Sequence, residues 1–236
     1  FNLSYKESEI LVTVGGSEAI DLCIRALVSP GDEVLIPEPS FVCYKPCTVM
    51  AGGTPVTIET LEKDNFRLLP EQLKEKITDK TKLLILPFPN NPTGYTATEE
   101  EMDGIRDILV RFAEMGKKIV AICDDAYYGL FYDKNVYPGS IFSKLSGIHD
   151  NIVAVKIDGV SKEFYAWGFR VGFITFADNF QSADGYGVME EKAVSCIRSS
   201  VSSCSSIAQS VLVHAIKDED YPKEREEKFN ILEKED

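Results

Sequence analysis

The sequence predicts an α/β fold, a three-layer α/β/α sandwich built on a mostly parallel sheet. Three observations carry that expectation. Short, almost wholly apolar runs recur along the 236 residues, as they do in strands covered on both faces. Stretches with apolar residues at helical spacing separate them, and crossovers between parallel strands need such stretches. The conspicuous polar groups Gly15-Gly16-Ser17, Asn91 and Asp124 follow directly on such runs, and α/β sheets collect functional residues at strand carboxyl ends.

In chain order, residues 10–14 (Ile-Leu-Val-Thr-Val) read as the first strand. They lead through Gly15-Gly16 into a helix over 17–27, where Ala19, Ile20, Cys23, Ile24 and Leu27 recur at helical spacing. Pro30-Gly31-Asp32 stops it, and 33–36 is the next strand. A helix over 41–50 and a strand over 55–58 follow. Leu83-Leu84-Ile85-Leu86 is a fully apolar strand ahead of the proline-rich turn from Pro87 to Pro92. Thr98 with Glu101 forms a capping box for a helix reaching about Met115. Further strands read over 119–123, 152–155 and 171–176. Residues 184–215 are helical with a serine-rich break at 199–206, and a charged helix begins at Tyr221.

Length allows one large core, with a small appendage at most. No apolar run reaches the ~18 residues of a membrane span, and no basic-then-apolar leader opens the chain. A net charge of −13 argues against a nucleic-acid surface, which needs clustered cations. Six cysteines form no CxxC pair, so reduced thiols, a reducing cytoplasmic compartment and no metal site are expected. The absent initiator methionine and the helix cut at its end lead us to expect a piece of a longer polypeptide.

The polar landmarks each allow two readings. Gly15-Gly16-Ser17 at a helix start is either a plain capped turn or an anion site of free N–H groups; it is neither GxGxxG nor GxxxxGK[ST]. Asp124, ending an apolar strand beside Asp125, could hold a metal, cap a turn, or keep a heteroaromatic nitrogen protonated. Tyr127 could reach the same ligand or pack in the core. An isolated Ser161-Lys162 pair is ordinarily a surface feature. Here it lies between small residues and Arg170, an arginine at a strand mouth whose planar fork suits phosphate. A desolvated lysine beside a cation has a lowered pKa and forms Schiff bases. His149 reads as a loop residue, His214 as a packed helix residue, and 224–228 as a solvated helix face.

Asn91-Pro92-Thr93-Gly94, Asp124-Asp125-Ala126-Tyr127 and Gly159-Val160-Ser161-Lys162 with Arg170 eight residues on closely resemble the fold type I pyridoxal-phosphate enzymes, specifically the class I/II aminotransferases. The likeness runs from Val12 to the end, in the family's motif order. It implies the family's large domain, with a mixed sheet of about seven strands, over residues 1–220. Residues 221–236 then begin a helix toward a small domain absent from this chain. It further implies pyridoxal 5'-phosphate as cofactor, an amino acid and a 2-oxo acid as substrates, and a homodimer. Lys162 would form the Schiff base and shuttle the substrate's proton. Asp124 would partner the pyridine nitrogen, and Asn91 and Tyr127 the ring's O3′. Gly16, Ser17, Glu18, Ser161 and Arg170 would hold the phosphate, and Phe41 would stack on the ring. A C–S β-lyase on the same scaffold, or an aminotransferase-like sensor domain of a transcription regulator, would share nearly all of these residues. Three positions depart from the pattern: Gly159 where many members have serine, Tyr165 where a small residue is usual, and the bulky Trp167.

Overall fold

The computed structural model describes residues 5, 7–177 and 183–235. Its elements are, in order, β1 (Ile10–Thr13), α1 (Gly15–Leu27), β2 (Glu33–Glu38), α2 (Tyr44–Met50), β3 (Thr54–Glu59), α3 (Pro70–Lys76), β4 (Thr81–Pro87), α4 (Glu99–Glu114), β5 (Ile119–Asp124), α5 (Ile141–Leu145), β6 (Ile152–Gly159), α6 (Val160–Glu163), β7 (Gly172–Phe176), α7 (Ala183–Ser200), α8 (Ser206–Lys217) and α9 (Tyr221–Glu235). The strands form one sheet in the order β1-β7-β6-β5-β4-β2-β3. Pairings from β3 through β6 are parallel, and β7 is antiparallel to both β6 and β1.

Strand side chains alternate between the two faces, and the core divides accordingly. Leu84, Leu86, Ala121, Cys123 and Ala154 pack beneath α3, α4 and α5. Leu83, Ile85, Val120, Ile122, Val155 and Ile157 pack beneath α1, α2 and α7. The three-layer expectation holds, with both faces of the sheet covered.

α4 forms as its sequence demands. Met102, Ile105, Leu109 and Ala113 are buried on one face, and Thr98 and Glu101 cap each other's backbone N–H. Three short helices, α3, α5 and α6, escaped the sequence reading. α3 opens on Pro70, and the Gln72 side chain accepts from Leu69 N–H at 2.8 Å. α5 is capped by Ser140, whose hydroxyl accepts from Phe142 N–H at 3.1 Å. Elements this short form through caps and tertiary packing and leave little periodicity behind. β6 also runs four residues past the expected end, to Gly159, because Lys156 and Asp158 interrupt its apolar pattern. Among the described residues no helix is long and apolar enough to cross a membrane.

Candidate active site

Helix α1 begins at Gly15, two residues ahead of the expected start. Ser17 therefore falls inside the first turn, where N–H groups have no helical partner. Gly15 has φ +74°, and a Cβ there would lie 2.2 Å from Arg170 Nη2. The Nη2 end of the guanidinium thus occupies the space that a side chain here would need. Gly172, opening β7, meets the same turn from below: its Cβ would fall 2.4 Å from Gly15 C and 2.7 Å from Gly16 N. Arg170 donates to Ser161 Oγ at 3.1 Å and to the Trp167 carbonyl at 3.2 Å. Two glycines, an arginine and a hydroxyl therefore converge on the amino end of a 13-residue helix. Dipole, free N–H groups and guanidinium all favour an anion there. The Glu18 carboxylate folds away, accepting from Val14 N–H at 2.5 Å, so only its backbone is available to that anion.

At the other end of a cleft of 280 Å3 lies Asp124, the last residue of β5. It is buried, and burial pushes its carboxyl above the ordinary carboxylate range, against hydrogen bonds from Tyr44 and Ala126. Tyr44 Oη donates to Oδ2 at 2.6 Å, and Ala126 N–H to Oδ1 at 3.1 Å. Both contacts are neutral donors. A cationic N–H from the cleft side would supply the compensation that burial withholds.

Between these ends the walls carry the amine and the polar hydrogens. Lys162 lies in the short α6, with Nζ 5.1 Å from the Tyr127 ring centroid. It makes no ion pair with any described residue, so its amine is available to the cleft. Asn91 Nδ2 donates to Tyr127 Oη at 3.3 Å. Its neighbour Asn90 does structural work instead, donating to the Pro39 carbonyl and Thr93 Oγ1, both at 2.9 Å. Phe41 stands on the wall edge-on to Tyr44, ring centroids 5.8 Å apart.

Every candidate residue read from the sequence except Glu18 lines this one cleft. Tyr44 was not read from the sequence, although a tyrosine on the buried face of a helix must find a partner for its hydroxyl. Of the departures, Gly159 and Trp167 line the cleft, Trp167 being 68% exposed at its mouth. Tyr165 turns instead toward α9. His149 is in a loop, accepting from Asn151 N–H at 3.0 Å. His214 corrects the expectation of packing: it is exposed, with Nδ1 2.8 Å from the Ser210 carbonyl, because α8 buries only Ala208. All six cysteines are free thiols. Among the described residues no three His, Cys, Asp or Glu side chains cluster as metal ligands.

The cleft thus has donors for an anion at the α1 end, a buried carboxylate at Asp124 and the Lys162 amine between them. Comparisons with known proteins show the family. The sequence model described as aminotransferase class I and II matches residues 2–234. The aspartate aminotransferase of Pyrococcus abyssi is 39% identical over 166 residues, covering 70% of this chain and 40% of that protein. Aromatic-amino-acid aminotransferase 2 of Thermococcus litoralis is 35% identical over 168 residues, 71% of this chain and 41% of that one. The crystal structure of the aromatic aminotransferase from Pyrococcus horikoshii OT3 aligns with a TM-score of 0.79 at 33% identity, over 94% of this chain and 55% of that one. This chain spans about half the length of the relatives it matches. With motif, fold and cleft in accord with a match along nearly its whole length, the chain belongs to the class I and II aminotransferase family.

Proposed function

We propose that the protein containing this chain is a pyridoxal-phosphate-dependent aminotransferase that moves an amino group between an amino acid and a 2-oxo acid. The observation that carries the reading is the shared cleft, with an anion site at one end, a buried carboxylate at the other and an unpaired lysine between them. When bound, the cofactor supplies an aldehyde that condenses with amines and a ring that accepts electron density from the substrate's Cα.

The chain's own residues do the rest. Gly16, Ser17 and Glu18 offer backbone N–H groups to the phosphate, with Ser161 Oγ and the Arg170 guanidinium. Asp124 holds the proton on the ring nitrogen, and Tyr44 and Ala126 hold Asp124 in place. Asn91 and Tyr127 bind the ring's hydroxyl oxygen, and Phe41 covers the ring face. Lys162 Nζ, once free, takes the proton from the substrate's Cα and returns it on the other side of the exchange.

In this reading residues 1–220 are the cofactor-binding domain, and 221–236 lead into a second domain. The protein works as a cytoplasmic homodimer. Support for the dimer comes from Ile207, Val211, Val213 and Ile216, all exposed on α8; support for the compartment comes from the free thiols. The deciding experiment incubates full-length protein with a panel of amino acids and 2-oxo acids, measuring amino transfer, ammonia and pyruvate together. Transfer without ammonia supports the proposal, and ammonia with pyruvate but no transfer replaces it with elimination.

A further inference from the structure

Lys162 and Tyr127 face each other across the cleft from two segments that cannot hold their own shape. Lys162 is in a helix of four residues, far below the ~12 at which an isolated helix becomes even marginally stable. The backbone then turns left-handed at Tyr165, φ 54°. Tyr127 begins a stretch without regular structure that runs to α5.

Both segments rest on the same helix, α9, outside the cleft. Arg225 Nη2 is 3.6 Å from Glu163 Oε1, the residue after Lys162. The same nitrogen lies against Gly129, two residues after Tyr127, where an added Cβ would be 2.9 Å away. On one side of Arg225, Tyr221 stacks on Phe164 with centroids 5.5 Å apart and planes at 17°. On the other, Phe229 meets Tyr132 at 5.5 Å. Tyr221, Arg225 and Phe229 are four residues apart and form one stripe. They are half-buried, while Glu224, Glu226, Glu227 and Lys228 are exposed. Arg225 therefore departs from the solvated face expected of 224–228.

We infer that Arg225 is a positioning residue: it braces the segments on either side of the cleft and sets the spacing between Lys162 and Tyr127. A helix leading out of the domain thereby bears directly on the site amine. The inference rests on the reading of those two residues as site residues.

The test uses the full-length protein without cofactor, then loaded with pyridoxal phosphate. Amide hydrogen exchange is measured in Arg225→Met, Glu163→Gln and the double variant. Exchange in residues 160–166 and 127–131 should rise about three- to fivefold in each single variant, the scale of a partly exposed ion pair. The double variant should not exceed Arg225→Met, which already removes the contact with Glu163. In the loaded protein, the pH midpoint of the cofactor's visible band should shift in both single variants. Unchanged exchange in these segments, change confined to α9, or additive effects in the double variant would overturn the brace. Glu163→Gln leaves α9 intact and separates loss of the contact from loss of the helix. Failure of borohydride to fix the cofactor at Lys162 would refute the functional reading instead, leaving the exchange result to judge the brace.

Discussion

Replacing Gly172 by alanine tests whether the turn before α1 is an anion site or only a connection. The added Cβ would lie 2.4 Å from Gly15 C and 2.7 Å from Gly16 N, both backbone atoms. Ordinary contact begins near 3.4 Å, so the turn must withdraw by roughly 1 Å, and overpacking of this kind costs about 1–3 kcal/mol of stability. An N–H group moved that far from an anion leaves hydrogen-bond range. Hydrogen bonds to charged groups contribute ~1.5–3 kcal/mol each. Losing one or two weakens phosphate-ligand binding by about 2–4 kcal/mol, or ~30- to 1,000-fold. The assay titrates full-length apoprotein with pyridoxal phosphate and, separately, with pyridoxal. The variant should lose affinity for the first by that factor and for the second hardly at all. Equal losses for both ligands, or none for either, would show that the turn does not hold the phosphate.

Lys162→Ala should lower amino transfer by about 10⁴-fold or more, the upper range for a proton-transferring group, and borohydride should no longer fix the cofactor to the chain. Tyr44→Phe removes the 2.6 Å donor to Asp124; the carboxyl should then protonate at higher pH, read as an upward shift in the pH at which the bound cofactor's spectrum changes. Burial pushes Asp125 from the ordinary 3.8 up to about 7. Its contribution to stability is thus fully present below pH 3.8 and is lost as pH rises through 7. Asp125→Asn should flatten the thermal-stability profile across that window. Thr98→Ala removes the hydroxyl that accepts from Glu101 N–H and should cost about 1 kcal/mol, a fall in Tm of roughly 2–4 °C.

All seven strands were legible because each carries a short, mostly apolar run set off by turns or helical stretches, and the cleft because most of its residues follow those strands. What stayed hidden depends on contacts between distant parts of the chain. Tyr44 reaches Asp124 across 80 residues, and nothing in its neighbours announces the bond. The stripe Tyr221, Arg225, Phe229 is diluted by charges on every other face, so 224–228 read as a solvated helix face. The far end of β6 was lost because Lys156 is a cation in a strand buried among apolar residues. Its partners, Asp125 and Asp158, are visible only once β5 and β6 are paired.

That pairing also explains why two aspartates stand together after β5. Consecutive strand residues face opposite sides of the sheet. Asp124, level with Ile157, faces the cleft, whereas Cys123, level with Lys156, faces the other layer. Asp125 continues on the Cys123 side, with Oδ2 3.1 Å from Lys156 Nζ, and Lys156 also pairs with Asp158. One carboxylate thereby faces the cleft while its neighbour joins Lys156 and Asp158 beneath it. Asp158 disfavours the charged form of Asp124, and Lys156 opposes it more weakly. The cluster thus sets the field in which Asp124 works without entering the cleft. The hydrogen bonds from Tyr44 and Ala126 favour the charged form of Asp124 more than Lys156 does. The donors that touch its carboxylate, and not the lysine across the sheet, are therefore the main groups that offset what burial costs it.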